Sequence, residues 1–375
     1  MSGYAISIAF RAGVRGITLG AVLILEGACS NQSQGAAPVV PFKALFEHFH
    51  VVPLNATVEH PIGFATSALV TNVEIALLDR TTSDIKVFAR RDGSLIRIVG
   101  KPGDDAGQFR SPNALAPLDS GRYVVYDQGR RVLSIRDSLG RVISEAPMAK
   151  GAFGGLVALP KERRVVLAGR MSDQTGDTKD VDLHEFDFSG RRIASYATTA
   201  KTSSELEARF NALFAVQVGQ QVVTGSLSSN RLRIYDRTTG HAKWIEVASS
   251  WYRPLEYPPR ATSNAGTQST MPWTHTQPFM NGIFALTGGR FLVRFQAFTS
   301  LQDKAFYYAV ADTSGVTRAI SQATRANVVA SRGDTIFWVN GGGKTPASLG
   351  FGVVDVPPVS GRARLGPAAR ALAGR

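Results

Sequence analysis

Only one of the 375 residues, Cys29, is a cysteine. A lone thiol excludes an internal disulfide framework and a zinc site built on several cysteines. Long apolar runs are scarce as well. The run from Gly16 to Leu25 holds ten residues, too few to span a bilayer. Acids are outnumbered by bases, 29 against 42, so the formal net charge is +13. Such an excess invites nucleic acid as a partner. Three catalytic signatures are missing. There is no Gly-x-Ser-x-Gly elbow, and "HEFDF" from His184 lacks the second histidine of a zinc-protease helix. "GGGKT", ending at Thr345, lacks the earlier glycine of a phosphate loop, since Trp338 stands at that position.

Glycine (37) and proline (18) are plentiful, which suits a turn-rich chain, and 44% hydrophobic residues can supply a large core. The N-terminus carries Arg11 and Arg15, then the short apolar run, then Gly27-Ala28-Cys29. That order is the pattern of a secretory signal over residues 1–29. Residues 30–42 read as a Ser/Gln/Ala/Pro linker. Residues 361–375, with four arginines and no acid, read as a basic disordered tail. Export sets aside nucleic acid as the natural partner.

The body of the chain, residues 43–360, repeats. Six apolar runs recur: "VEIALLD" from Val73, "RYVVYD" from Arg122, "RRVVLAG" from Arg163, "QQVVTG" from Gln220, "RFLVRF" from Arg290 and "DTIFWVN" from Asp334. An alternating run follows each: "DIKVFAR", "RVLSIRD", "DLHEFDF", "RLRIYDR", "AFYYAVAD" and "LGFGVVD". Period-two alternation predicts half-buried strands. Turn glycines at Gly93, Gly140, Gly190, Gly240 and Gly315 are spaced by 47, 50, 50 and 75 residues. A repeat of that length holds about four short strands, the size of a propeller blade. The expected fold is therefore all-β: a six-bladed β-propeller with four-stranded antiparallel blades around a central channel. A monomer is expected. The last blade offers only three strands before Pro357-Pro358. "FHVVPLNATV", Phe49 to Val58, is expected to complete it, with "GRARL" from Gly361 as the competitor. A short helix is predicted over residues 203–209, from the capping box of Ser204 and Glu207.

One repeat is more specific. In "VGKPGDDAGQFRSPNALAPLDSGRYVVYDQGRRVLSIRDSLGRVI", Gly103, Gly107, Phe109, Pro112, Asp127 and Gly140 resemble the NHL-repeat pattern. The first repeat keeps Asp79 and Gly93, while the other four keep only the apolar runs. The resemblance implies an exported six-bladed propeller of the NHL type, and it implies a fold more firmly than a function. Some relatives of that type bind nucleic acid, and others are lactonase-like hydrolases or lyases. Gluconolactonase-type propellers hold a divalent metal with asparagines and carboxylates at inner strands. The end of the signal resembles a bacterial lipobox, which implies lipidation of Cys29 and a place in the cell envelope. Glu26 departs from that pattern.

Two groups of residues carry the functional expectation. Aligned on their second strands, four repeats place an asparagine at the head of the inner strand: Asn113, Asn211, Asn281 and Asn327. In a propeller these heads ring the channel mouth. The first three stand eight residues before Gly121, Gly219 and Gly289. Amides there suit a polar ligand. They also suit strand-entry turns, because asparagine bonds nearby backbone. No acid stands at an aligned head, so no metal or other cofactor is assigned, and a divalent cation in the channel is kept only as an alternative. His48 and His50, with His60 nearby, read as surface histidines beside a linker.

The second group lies in the insertion over residues 249–278: Trp251, Tyr252, Arg253, Trp273 and His275. Aromatic rings beside arginine suit recognition of a glycan, a peptide or a protein surface. In an antiparallel meander this insertion shares one face with the asparagine heads. The leading expectation is an exported, lipid-anchored, non-catalytic binding or sensory scaffold. A lactonase-like hydrolase or lyase and a basic nucleic-acid binder are the alternatives.

Overall fold

The computed structural model describes residues 37–171, 181–198, 213–227, 229–248, 252, 279–298, 304–342 and 345–356. The expected signal over residues 1–29, the predicted helix over 203–209 and the expected tail over 361–375 lie outside the described residues. The described chain starts with β1 (Val39–Val40), a 3-10 turn (Phe42–Leu45) and β2 (Phe46–Pro53). Blade one follows as β3 (Ala65–Val70), β4 (Glu74–Asp79), β5 (Asp84–Ala89) and β6 (Leu95–Val99). Blade two is β7 (Pro112–Pro117), β8 (Tyr123–Asp127), β9 (Val132–Arg136) and β10 (Val142–Pro147). Blade three is β11 (Gly151–Leu159), β12 (Arg164–Met171), β13 (Val181–Asp187) and β14 (Arg192–Thr198). Blade four is β15 (Leu213–Val218), β16 (Gln221–Ser226), β17 (Arg231–Asp236) and β18 (Ala242–Glu246). Blade five is β19 (Phe279–Ala285), β20 (Arg290–Phe298), β21 (Lys304–Asp312) and β22 (Thr317–Ser321). Blade six has β23 (Asn327–Arg332), β24 (Thr335–Gly342) and β25 (Thr345–Val354).

Each blade is an antiparallel meander, and the first strands touch in sequence from blade one round to blade six and back to one. The chain is a six-bladed β-propeller. The six apolar runs are the second strands and the alternating runs the third. The expected half-burial of the third strands holds in β17, where Leu232 and Ile234 are buried between more exposed neighbours, but not in β5. Along β5 every side chain except that of Ala89 is buried. Both faces of β5 are covered by neighbouring blades, and its buried cation is paired. Lys86 is fully buried and meets Asp84 at 2.6 Å and Asp79 at 3.2 Å.

Burial is distributed between the blades rather than in one centre. Leu78, Ile85 and Val87 of blade one pack with Leu115, Tyr123 and Val125 of blade two. Equivalent apolar clusters fill the interfaces two–three, three–four, four–five, five–six and six–one. This is why one blade cannot stand alone: each sheet needs a partner on both faces.

The ring closes with the N-terminal strand. β2 pairs antiparallel with β25, from Phe46 opposite Val354 to Pro53 opposite Ser348. The expected closing strand thus forms, three residues earlier than Phe49 and ending at Pro53. Its competitor from Gly361 lies outside the described residues. Upstream, Val39 and Val40 fall within the stretch read as linker, yet pair in parallel with Ile320 and Ser321 of β22. The intervening turn packs Phe42 against Tyr308 and Trp338, at 5.0 and 5.3 Å between ring centroids. The segment therefore joins blade five to blade six. Trp338 is accommodated because residue 350 on the facing strand is glycine. A Cβ there would lie 2.1 Å from the Trp338 ring.

Candidate functional site: a cationic cavity at the channel end

The heads of five inner strands are irregular, while β15 of blade four pairs with β16 in unbroken register over its described residues. The ladder slips between Ala65 and Ser67, Pro112 and Ala114, Phe153 and Gly155, Met280 and Gly282, and Val328 and Ala330. Each slip leaves one residue out of register: Thr66, Asn113, Gly154, Asn281 and Val329. Such a bulge twists the strand and re-aims that residue. All five line one cavity of about 370 Å³ at the centre of the ring. Blade four contributes Phe214 and Ala215.

Strand-end aspartates hold the heads in two blades. Asp79 accepts backbone N–H bonds from Gly63 at 2.6 Å, Phe64 at 3.0 Å and Thr81 at 2.9 Å. Asp127 does the same for Arg110 at 2.8 Å, Ser111 at 3.0 Å and Arg130 at 3.0 Å. Each carboxylate thereby ties the entering loop to the turn between the second and third strands. Burial by itself would raise the Asp79 pKa. The Gly63 N–H, the Lys86 ammonium and the other backbone donors outweigh it and hold the carboxyl below its usual range.

The asparagines divide into two kinds. Asn113 and Asn281 are bulge residues and line the cavity. Asn113 Nδ2 donates to the Phe153 carbonyl of the next blade at 2.5 Å. Asn281 Nδ2 donates to Gln296 Oε1 at 2.6 Å. Asn327 is different: it pairs in register with Val339, and the bulge of its blade comes later, at Val329. Its spacing to the following turn glycine, Gly333, is six rather than eight, which is the sequence sign of that difference. Asn327 Nδ2 donates across the ring seam to the Ala65 carbonyl at 3.0 Å. Asn327 is not among the cavity-lining residues. Asn211 lies outside the described residues, as do Trp251, Arg253, Trp273 and His275. Tyr252 is described, and it is not an exposed anchor. Its ring is buried in the cluster between blades four and five, 5.6 Å from that of Phe295.

Three cations that belong to no sequence motif also line the cavity: Arg80, Arg294 and Lys304. Arg294 is buried in the middle of β20. Its Nε donates to Asn281 Oδ1 at 2.7 Å and its Nη2 to the Asn281 carbonyl at 2.7 Å. Its Nη1 donates to Asn327 Oδ1 at 2.5 Å and to the Val328 carbonyl. Burial pulls the guanidinium pKa down, yet arginine stays charged at any physiological pH. The Lys304 ammonium sits 4.1 Å from the centre of the Phe64 ring. Burial, and then repulsion by Arg294, hold its pKa below the usual lysine range. None of the described lining residues is Asp, Glu, His or Cys. The one sequence signal for Arg294 is a charge that interrupts the apolar residues of "RFLVRF" after Arg290 has opened the run.

The other motifs have structural roles. His184 is buried, with Nδ1 2.8 Å from Ser195 Oγ and Nε2 3.2 Å from the Gly169 carbonyl. His48 and His50 lie on the closing strand, and His50 stacks on Phe351. No group of three or more His, Cys, Asp or Glu residues suited to a metal occurs among the described residues.

No family model matches the sequence, and no curated protein matches it. Solved structures do resemble it. A member of the DUF4221 family from Bacteroides vulgatus superposes with a TM-score of 0.58 at 13% identity, over 82% of this chain and 96% of that one. A protein from Bacteroides fragilis, provisionally designated exported, gives a TM-score of 0.60 at 12% identity, over 85% and 98%. Virginiamycin B lyase from Staphylococcus aureus, in an inactive form with quinupristin, gives a TM-score of 0.47 at 11% identity, over 82% and 100%. At these identities the likeness concerns the fold. No helix among the described residues is long and apolar enough to cross a membrane.

Proposed function

We propose that this propeller is a non-catalytic binding or sensory scaffold that holds its ligand at the channel end. One observation supports the reading above the others: the strand-head bulges deliver Asn113 and Asn281 into a single cavity whose described lining has hydrogen-bonding groups and cations but no carboxylate or imidazole. Such a lining can orient a ligand, and the titratable base among its described residues is Lys304. The insertion aromatics Trp251 and Trp273, with Arg253 and His275, are proposed as further contacts on a glycan, peptide or protein. The strand-end aspartates of blades one and two also support kinship with NHL-type repeats.

A thermal-shift screen of the mature protein against glycans, peptides and small molecules tests this. The expected ligand binds without turnover. Its affinity falls in Trp251→Ala and Trp273→Ala, and its selectivity relaxes in Asn113→Ala and Asn281→Ala. Turnover of a bound ligand favours the hydrolase or lyase alternative. A ligand indifferent to all four changes overturns the site.

Export with lipidation at Cys29 is proposed from the basic, apolar, Gly-Ala-Cys order. A fatty-acid probe should label the cellular protein, and Cys29→Ser should abolish the label. An unlabelled mature form rules it out.

A further inference from the structure

The geometry points to a small organic carboxylate as the ligand of the channel-end cavity, its anionic group facing Arg294 and Lys304 and its apolar body lying among the phenylalanines. This rests on the proposed binding role and names the chemistry of that site. Some desolvated cations of the fold are matched by acid, while buried Arg136 donates only to the carbonyls of Gly140 and Gly107 and packs on the Phe109 ring. Lys86 has Asp79 and Asp84, and Arg318 has Asp312. At the cavity Arg294 meets only neutral acceptors, two asparagine side chains and two backbone carbonyls. Four donor hydrogens are satisfied there, and a guanidinium has five. One Nη2 hydrogen is left without an acceptor among the described residues.

Lys304 has no hydrogen bond or ion pair to any described residue and rests on the faces of Phe64 and Phe298. Arg80, exposed at the same cavity, brings a third positive charge. Like charges gathered in a partly desolvated space repel each other, and a bound anion relieves that repulsion. Guanidinium and ammonium donors both suit a carboxylate.

The remaining walls argue for an organic rather than an inorganic anion. Phe64, Phe214, Phe279 and Phe284 line the same cavity, drawn from three different blades and their loops. A volume of about 370 Å³ admits a small molecule and not a folded partner.

Isothermal titration calorimetry on the mature protein tests this with phenylacetate, its neutral analogue phenylacetamide, and inorganic phosphate. Phenylacetate should bind at one site, roughly tenfold or more tighter than either control, the loss expected when a charge-assisted bond is removed. Lys304→Met should weaken phenylacetate by a similar factor and leave the melting temperature near that of the parent. Arg294→Gln is the stronger change, and a circular dichroism melt first establishes that it folds. Equal binding of phenylacetamide overturns the anionic preference, and equal binding of phosphate overturns the organic one. Unchanged affinity in Lys304→Met places any carboxylate elsewhere. Should none of the three bind, this inference fails, while the wider ligand screen still decides the binding role separately.

Discussion

The side-chain amide of Asn327 donates to the carbonyl of Ala65 at 3.0 Å, a bond between the last blade and the first. Its oxygen meanwhile accepts from Arg294 of blade five at 2.5 Å. One asparagine thus links three blades around the channel. Asn113 makes a simpler bond, to the Phe153 carbonyl of the next blade.

Asn327→Leu should therefore cost more stability than Asn113→Ala. The first leaves a buried cation short of an acceptor and a carbonyl unpaired, about 2–4 kcal/mol, and the second about 1–2 kcal/mol. Urea midpoints measure both. Equal losses would contradict the seam role of Asn327.

Lys86 supplies a charge test. Lys86→Met leaves Asp79 and Asp84 without their cation in a buried site, so a loss of roughly 3–5 kcal/mol is expected near neutral pH. The Asp79 carboxyl is held below its unfolded pKa. Its stabilising contribution is then fully present above about pH 4 and fades as pH falls through the folded value. The gap between variant and parent should narrow in acid. A gap that widens below pH 4 would refute this account.

Asp127→Ala should release the backbone N–H groups of Arg110, Ser111 and Arg130 together, at a cost of about 2–4 kcal/mol. Hydrogen exchange should localise the effect to the loop entering β7, and Asp127→Asn should lose less. Unaltered protection at Ser111 would show that the aspartate does not hold the strand head.

Removal of residues 37–53 should lower Tm by about 10 °C or more, because β25 loses its partner and Trp338 loses the cover of Phe42 and Phe46. Removal of 361–375 should leave Tm unchanged. Differential scanning calorimetry compares the two, and the opposite order would contradict the closure.

Second and third strands were readable because five of the six repeats combine apolar runs with a turn glycine, as in "VEIALLD" before Gly93. The closing strand was found by elimination, since one blade lacked a strand and one strand lacked a blade. Asn113 and Asn281 are the bulge residues of their strands and line the central cavity, and both stand eight residues before a turn glycine. Asn327 broke that spacing, and its side chain serves the seam. Arg80, Arg294 and Lys304 were invisible as a set. Arg294 and Lys304 lie on adjacent strands of blade five, whereas Arg80 follows β4 of blade one, and only ring closure brings it to their space. Lys86 was hidden for another reason: alternation reports side-chain direction, and here both directions are interior.

The strand that seals the ring is the first of the blade strands to be made, and its partner β25 is the last. During synthesis Phe46–Pro53 must remain unpaired until nearly the whole chain has followed. Its edge is then open to the wrong neighbour for the length of that delay. Holding an emergent strand in reserve is a task for a chaperone at the exit site, or for strand chemistry that discourages early pairing. The register break between Glu47 and His50 gives β2 such chemistry, since a kinked strand makes a poor template for any edge but the one shaped to receive it.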